Sequence, residues 1–176
     1  MSNFIYIAVS LDGFIARKDG HIDWLLELPN PDGSDFGFAD FMKNIDAVVM
    51  GRNTFEIVQS FNEWIYTKPV FVLSRTLKSL PEKFSDKAEL LNAKPNDVLR
   101  ILNQRGFKNL YIDGGKTIQD FLKLELIDEM IITTIPVLIG EGIPLFSSLT
   151  KDQKFEHIKT EILLEQSVKS HYKKIS

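Results

Sequence analysis

Two short glycine-containing segments carry the clearest chemical signal in this sequence. The candidate residues are Gly51, Arg52, Asn53 and Thr54 in the first segment, and Asp113, Gly114, Gly115, Lys116, Thr117 and Ile118 in the second. Each segment follows a short apolar run and opens a stretch with helical character. Glycine lets a ligand approach the backbone closely, and a helix N-terminus offers unpaired N–H groups with partial positive charge. Two such starts in one small chain suit a ligand with several phosphates, such as a phosphorylated dinucleotide.

A third polar segment follows another apolar run, at Leu73, Ser74 and Arg75. A hydroxyl beside a guanidinium suits a dianionic phosphate, because arginine makes charge-assisted hydrogen bonds to phosphate oxygens. Arg52 and Thr54 offer the same pair of groups in the first glycine segment. Each segment alone also has a plainer interpretation, as a solvated loop or as a strand–helix turn with a surface arginine.

Composition and charge limit the classes of function. The chain has 176 residues, of which 44% are hydrophobic and 26% charged, so we expect one globular domain spanning residues 1–176. The formal net charge of −3 argues against a general nucleic-acid binder. There are no cysteines, which excludes disulfides, thiolate metal sites and a cysteine nucleophile, and suits the cytoplasm. We expect a soluble, unprocessed chain with no membrane span and no metal site.

The apolar runs predict the elements that position these segments. Strand-like runs lie at 4–9, 47–50, 70–73, 110–112 and 130–137, and several are continuous, as in strands covered on both faces. Helix-like stretches at 36–43, 54–61, 96–105 and 117–124 lie between them. Two strand-like stretches at 155–164 and 167–175 follow with no helix between them. This order predicts an α/β fold whose mostly parallel central sheet carries a C-terminal antiparallel hairpin at its edge.

The ordered set of motifs resembles the dihydrofolate reductase-like superfamily. The matching segments are SLDGFIA at 10–16, MGRNT at 50–54, LSR at 73–75, DGGK at 113–116 and LIDE at 126–129. An acidic residue before two glycines is similar to the branch that includes the reductase domain of riboflavin-biosynthesis proteins, whereas many folate reductases have a third glycine there. The resemblance covers roughly residues 3–146 and implies the three-layer dihydrofolate reductase-like fold.

The resemblance implies NADPH as the cofactor and a set of contacts to it. These contacts fall on Ala8, Ile15, Gly51, Arg52, Asn53, Thr54, Leu73, Ser74, Arg75, Asp113, Gly114, Gly115, Lys116, Thr117 and Ile118. Ser74 and Arg75 would face the 2′-phosphate, which favours NADPH over NADH. Gly114 and Gly115 would face the pyrophosphate. The loop 19–34 would cover the active site, and the candidates for substrate contact are Trp24, Phe36 and Phe38.

The resemblance also indicates an acid. Asp35 lies 16 residues before Gly51 (51 − 35 = 16), a spacing that matches the catalytic carboxylate of bacterial folate reductases. A carboxylate at this place could hydrogen-bond an amino-pyrimidine edge and raise the proton affinity of the reacting nitrogen. Thr133 would be its polar companion on a later strand. The alternative for Asp35 is a helix cap, since it follows Ser34 just before a helix-like stretch.

The expected function is that of an NADPH-dependent reductase acting on a pyrimidine- or pteridine-type small molecule. Genuine folate reduction fits less well, because Lys68 stands where folate reductases place an arginine and the segment 28–34 is an insertion. The alternatives are a non-catalytic nucleotide-binding or dimerisation module, and a flavin or drug reductase of broad specificity. The C-terminal hairpin leaves a sheet edge to cover, so we expect a homodimer.

Overall fold

One large sheet organises the chain in the computed structural model, which describes residues 1–61 and 63–175. The strands are β1 (Ser2–Ser10), β2 (Phe14–Ala16), β3 (Ala47–Gly51), β4 (Val70–Leu73), β5 (Ala88–Leu91), β6 (Asn109–Asp113), β7 (Glu129–Ile135), β8 (Ile143–Pro144), β9 (Phe155–Leu163) and β10 (Ser167–Lys174). Eight of them form one sheet in the order β5-β4-β3-β6-β1-β7-β10-β9, and β2 pairs with β8 separately. Strands from β5 to β7 in this order run parallel, whereas β10 pairs antiparallel with both β7 and β9.

Helices cover both faces of the sheet. They are α1 (Asp23–Leu26), α2 (Phe38–Lys43), α3 (Arg52–Val58), α4 (Pro95–Gln104) and α5 (Gly115–Lys123), with a 3₁₀ turn at Glu82–Phe84. In β3, Ala47 and Val49 belong to the core that contains side chains of α4 and α5, whereas Val48 and Met50 belong to the core beneath α2 and α3. Because both faces are buried, the run of apolar residues in this strand is continuous rather than alternating. The expected three-layer α/β fold is confirmed.

Parallel pairing brings the predicted chemical segments to one edge of the sheet. In register, Gly51 at the end of β3 lies beside Leu73 of β4, and Met50 lies beside Asp113 at the end of β6. Helix α3 starts directly after β3, and α5 starts directly after the Asp113–Gly114 corner. The carboxyl ends of neighbouring parallel strands are where open α/β sheets bind ligands, so this edge is the place to look for a site.

Several short elements depart from the predicted pattern. The strands β2, β5 and β8 and the helix α1 were not predicted, since each has four residues or fewer and shows no complete period. The antiparallel hairpin is confirmed as β9 and β10, with β9 at the edge of the sheet. Within 1–61 and 63–175, no helix is long and apolar enough to cross a membrane. Across the same residues, no group of three His, Cys, Asp or Glu side chains is placed to hold a metal ion.

Candidate functional site

A cleft of about 820 Å³ opens at the edge of the sheet where the chemical segments meet. The predicted site residues that line it are Ala8, Ile15, Phe38, Arg52, Asn53, Thr54, Leu73, Ser74, Arg75, Asp113, Gly114, Gly115, Lys116 and Thr117. We call the part formed by the starts of α3 and α5 and by the Ser74 turn the glycine end. The part walled by Tyr6, Phe38, Val58, Phe61, Ile65, Tyr66, Tyr111 and Asp113 is the aromatic end.

The two glycine turns interlock. Gly114 has φ of +88°, and a Cβ atom built there would lie 2.1 Å from the hydroxyl oxygen of Thr54. A Cβ atom on Gly51 would lie 2.8 Å from the hydroxyl oxygen of Thr117. Each turn therefore accepts the threonine of the other in the space that a side chain would need. The glycines therefore make room for side chains of the protein itself at these turns.

Two further predicted contacts, Gly115 and Ile118, pack against apolar side chains. A Cβ atom on Gly115 would lie 2.8 Å from Cδ1 of Ile15 and 3.0 Å from Cγ2 of Ile143, so this glycine is packed against apolar side chains. Ile118 is fully buried in the core between α5 and the sheet. Gly51 and Ile118 thus support the cleft without lining it.

Three cations line the glycine end. Arg52 pairs with Glu56 (Nε to Oε1, 2.6 Å) and Lys116 pairs with Asp120 (Nζ to Oδ1, 2.5 Å), each one turn further along its own helix. Such exposed pairs contribute little and exchange readily for a ligand anion. Arg75 follows Ser74. The hydroxyl oxygen of Ser74 accepts hydrogen bonds from the backbone N–H groups of Thr76 and Leu77. Together with the first N–H groups of α5, these cations form a positively charged wall.

The aromatic end is a packed array of rings around polar groups. Phe38 lies edge-on to Tyr6, Tyr66 and Tyr111, with ring centroids 5.8, 6.5 and 6.1 Å apart. The Tyr111 hydroxyl donates to the backbone oxygen of Tyr6 (2.9 Å), and the Tyr66 hydroxyl donates to Oδ2 of Asp113 (2.8 Å). Burial raises the pKa of Tyr6 to about 12, and burial also raises the pKa of Tyr66 and of Tyr111. All three phenols are therefore neutral hydrogen-bonding groups at physiological pH.

Asp113 brings a carboxyl group to the cleft. Its Oδ1 accepts the N–H of Gly114 (2.8 Å) and its Oδ2 accepts the Tyr66 hydroxyl, while the part of the residue that remains exposed faces the cleft. Burial raises the pKa of this carboxyl above its ordinary value, although the hydrogen bonds from Tyr66 and Gly114 oppose the shift. A carboxyl with a raised pKa in a cleft can hold a proton and deliver it.

A second, smaller pocket of about 280 Å³ adjoins the cleft at Ala8 and Leu25, which line both. Thr133 lines it and lies opposite Ala8 in the pairing of β1 with β7. Phe36 and Asn30 also line it, and its remaining walls are aliphatic. Thr133 and Phe36 are therefore brought close to the cleft, but on the far side of Ala8 from Asp113.

The backbone at Phe36 is held by two strands at once. Phe36 has φ of +58°, an unusual conformation for a residue with a large side chain. Its carbonyl oxygen accepts the Tyr6 hydroxyl of β1 (2.5 Å) and the Lys169 ammonium of β10 (3.1 Å). Lys169 also pairs with Glu161 at 3.2 Å. These contacts fix the wall of the small pocket and the start of α2.

Asp35 and Trp24 lie outside the cleft and the small pocket. The two carboxylate oxygens of Asp35 accept the N–H groups of Gly37 and Ala39, both at 2.8 Å. These bonds lower the pKa of Asp35, so this exposed carboxyl caps the start of α2 as an anion. The structure thus gives Asp35 the capping position that the sequence left open, and not the position of a proton donor. Trp24 is only 4% exposed and anchors α1 instead of covering the cleft.

The main features missed by sequence reasoning are the tyrosines and the place of Asp113 among them. Tyr6 could have been found, because it precedes Ala8 by two residues in a strand and so shares its face. Tyr66 lies in a loop with no periodic signal, and Asp113 was assigned to the cofactor because it adjoins the glycines. Lys169 gave no signal, since its partner Phe36 is far away in sequence.

Comparisons with known proteins agree with this architecture. The family described as the RibD C-terminal domain matches residues 4–169. The uncharacterized protein YwjB of Bacillus subtilis is 38% identical over 174 residues, covering 96% of this chain and 95% of that protein. A crystal structure from Shewanella sp. PV-4, provisionally named as a riboflavin biosynthesis protein, is 48% identical with a TM-score of 0.96 and full coverage of both chains.

Two more distant structures share the fold alone. The Thermotoga maritima diaminohydroxyphosphoribosylaminopyrimidine deaminase/5-amino-6-(5-phosphoribosylamino)uracil reductase has a TM-score of 0.77 at 17% identity, covering 99% of this chain and 56% of that one. Dihydrofolate reductase from Enterococcus faecalis, complexed with NADP(H), has a TM-score of 0.70 at 12% identity, covering 99% and 97%. The chain therefore shares the fold of dihydrofolate reductase, and the family match over residues 4–169 shows that it belongs to the RibD C-terminal domain family.

Proposed function

We propose that this protein is an NADPH-dependent reductase that transfers hydride to a pyrimidine- or pteridine-type acceptor. One observation carries the proposal: a single cleft joins a cationic glycine end to an aromatic end that holds a carboxyl group. The first suits the phosphates of a dinucleotide, and the second suits two flat rings placed face to face. Two comparisons add support: the chain matches the RibD C-terminal domain family, and the Thermotoga maritima structure that shares its fold is named as a reductase.

The residues present fit NADPH. Arg75 and Ser74 would hold the 2′-phosphate, while the start of α5 and Lys116 would hold the pyrophosphate. Ala8 and Ile15, which also line the cleft, would contact the nicotinamide. When bound, this cofactor would supply the hydride. The protein's part is to orient both rings and to exclude water, which accounts for much of the rate in reactions of this kind.

We assign the proton to Asp113 and not to Asp35. Reduction of a C=N bond needs a hydride at carbon and a proton at nitrogen. Asp113 lies in the cleft with a raised pKa, whereas Asp35 is an exposed anion tied to two backbone amides. In its protonated form Asp113 would donate its proton to the acceptor nitrogen and regain one from water. Thr133 and Asn30 would provide polar contacts where the acceptor enters the small pocket.

NADPH oxidation in the presence of an acceptor panel tests the proposal. The panel contains dihydrofolate, an oxidised pterin, 5-amino-6-(5-phosphoribosylamino)uracil, free flavin and a nitroaromatic drug. We expect NADPH binding by calorimetry and NADPH consumption with at least one pyrimidine or pteridine. Binding of NADPH without any turnover would instead support a nucleotide-binding module. Turnover of flavin or drug alone would support a reductase of broad specificity.

Two arginine variants, one in the cleft and one outside it, test the assignment of the cofactor site. Arg75→Ala should weaken NADPH binding because it removes a cation from the glycine end. Arg100→Ala should leave it unchanged, since Arg100 lies on α4 and pairs with Asp97 (3.1 Å) away from the cleft. If both variants lose affinity equally, the assignment of Arg75 is wrong.

We also propose that the protein is a homodimer formed through the C-terminal hairpin. The edge strand β9 exposes 46% of Ile158 and 73% of Ile162, and its neighbour Val168, which pairs with Ile162, is 40% exposed. A second copy would cover this apolar edge. Light scattering across a dilution series tests this, with Ile162→Lys expected to give monomers. Leu124→Lys, another exposed apolar position on α5's C-terminal side, is the control.

A further inference from the structure

We infer that the acceptor reduced in this cleft is a flat heteroaromatic molecule that carries no phosphate group. The inference rests on the proposed function, because it concerns the acceptor of the same cleft. It differs from the phosphorylated substrate named for the Thermotoga maritima relative. It follows from where the cationic side chains of this chain lie and from what they already bind.

The cations that line the cleft are confined to the glycine end. Arg52 follows β3, Arg75 follows β4 and Lys116 follows β6, so all three stand over the strands that would carry the cofactor phosphates. NADPH brings a pyrophosphate and a 2′-phosphate, which together account for these three cations. A second phosphorylated molecule would need further donors of its own.

The aromatic end offers no such donors. The residues that form its wall are Tyr6, Phe38, Val58, Phe61, Ile65, Tyr66, Tyr111 and Asp113. Among the described residues of this wall, Asp113 is the one carboxyl, and there is no lysine, arginine or histidine. Ring faces and aliphatic carbons favour a flat, weakly polar molecule, with Asp113 as its partner for an amino group or ring nitrogen.

The small pocket beyond Ala8 has the same character. Its described lining is made of Ala8, Leu25, Leu26, Leu28, Asn30, Phe36, Thr133 and Ile135, without a charged side chain. One cation contacts the backbone of this lining: the Lys169 ammonium donates to the Phe36 carbonyl and pairs with Glu161. Its side chain is 13% exposed and supports the wall from behind. Because Lys169 is already bonded to these two groups, we do not expect it to bind a phosphate.

A groove along α3 adjoins the cleft, and its basic side chains are Arg17, Lys18 and His21. His21 faces Asp19 (Nδ1 to Oδ2, 2.9 Å), and the arginine is already paired. Arg17 forms two hydrogen bonds with Asp23, both of 2.7 Å, in the bidentate geometry that arginine and carboxylate prefer. Lys18 in the same groove pairs with Glu141. The Arg17 contact differs from the single i,i+4 pairs of Arg52 and Lys116, because a ligand phosphate would have to displace a bidentate carboxylate. Lys18 makes a single exposed pair, and it lines the groove rather than the cleft.

A phosphate at the aromatic end would therefore lose its hydration without gaining a cation. It would also lie near Asp113, whose ionised form would repel it. An acceptor without phosphate avoids both penalties. The wall of the aromatic end, which suits flat rings, therefore disfavours a phosphate group.

A matched pair of acceptors tests the inference. The probes are 5-amino-6-ribosylaminouracil and its 5′-phosphate, which differ only in the phosphate group. Binding of each is measured by calorimetry, both to the protein alone and to the protein loaded with NADP⁺, and kcat/KM is measured with NADPH. We expect the unphosphorylated probe to have the higher kcat/KM, by roughly tenfold or more, and the lower Kd.

A charge-addition variant sharpens the result. Ile65 is 45% exposed and lines the aromatic end, so Ile65→Lys adds a cation there at small cost to the fold. It should shift the preference toward the phosphorylated probe. Leu124→Lys adds the same charge to another apolar position, 46% exposed and outside the cleft, and should leave the preference unchanged.

The outcomes separate this inference from the proposed function. Equal or better use of the phosphorylated probe by the unaltered protein overturns the inference, and so does failure of both probes to bind. Failure of NADPH to bind overturns the proposed function instead, while the Kd values of the two probes for the protein alone still decide the preference for phosphate.

Discussion

The two ends of the cleft are built from different materials. The glycine end consists of backbone turns, helix starts and exposed cations, all from short contiguous segments. The aromatic end consists of side chains that come from separate parts of the chain. Two hydrogen bonds hold them in place, from the Tyr66 hydroxyl to Asp113 and from the Tyr111 hydroxyl to the backbone oxygen of Tyr6. The first end is suited to hold a charged group at the surface. The second is suited to place rings and a proton.

This difference separates binding from chemistry. Changes at the glycine end should alter the affinity for a phosphorylated cofactor, or the fold where a glycine is packed. Changes at the aromatic end should alter turnover with little change in cofactor affinity. Each prediction below tests one side of that division.

Asp113→Asn should have the largest effect. It keeps the shape of the side chain but removes the proton, so turnover should fall by roughly 100-fold or more, as is usual for loss of a general acid. The Kd for NADPH should stay within a few-fold. In the unaltered protein, the rate should decline as pH rises through the raised pKa of Asp113, because the protonated form is then lost. The variant should lack this limb, and an unchanged pH–rate profile would remove Asp113 from the chemistry.

Gly114→Ala should come next, acting on the fold at the glycine end. Its Cβ atom would meet the Thr54 hydroxyl at 2.1 Å, and its φ of +88° is unfavourable for alanine. We expect a loss of about 3 kcal/mol in the free energy of unfolding, from strain and overpacking together. Gly106→Ala has the same kind of φ, +92°, but no atom within 4 Å, so it should cost only about 1 kcal/mol. Equal losses in urea titrations would show that the collision with Thr54 is unimportant.

Arg75→Ala should reduce the preference for NADPH over NADH. Loss of a charge-assisted hydrogen bond to the 2′-phosphate corresponds to about 1–3 kcal/mol, or roughly 5- to 150-fold in the ratio of the two Kd values. Affinity for NADH itself should barely change. A variant that binds both cofactors in the unaltered ratio would place the 2′-phosphate elsewhere.

Asp35→Ala should have the smallest effect and none on turnover. Loss of the cap should cost about 1 kcal/mol of stability at neutral pH, in urea titrations. The pKa of Asp35 is lowered by hydrogen bonds from Ala39 and Gly37. The ionic part of its stabilisation is therefore complete above the pKa of the unfolded chain, and is lost as pH falls through the lowered pKa. The difference in unfolding free energy between Asp35→Ala and the unaltered protein should narrow in acid. Asp32→Ala should be as stable as the unaltered protein. A large loss of turnover would restore Asp35 as the acid.

The sequence predicted the glycine end well because its information is local. Gly114, Lys116 and Thr117 are neighbours in the chain, and parallel strand order alone brings them to the edge beside Arg52. Strand β3 was equally clear, since four consecutive apolar residues indicate burial on both faces. The short edge strand β5 was missed, because Leu91 is its one buried residue and the strand includes the exposed Glu89.

The aromatic end was predicted less well because it depends on tertiary contacts. The hydroxyl of Tyr66 reaches Asp113 across 47 residues of chain, and no pattern in the sequence marks that pair. The spacing that pointed to Asp35 placed a carboxylate just before α2. It could not show that the backbone of α2 would take both of its oxygens.

The interlocked turns impose an order on how this chain can change. Thr54 occupies the space of a side chain at Gly114, and Thr117 occupies the space of one at Gly51. Replacement of either glycine should therefore cost less once the opposing threonine has become smaller, although Gly114 would keep the strain of its positive φ. We therefore expect the two motifs to change together, since Thr54 and Thr117 limit what the opposite turn can accept.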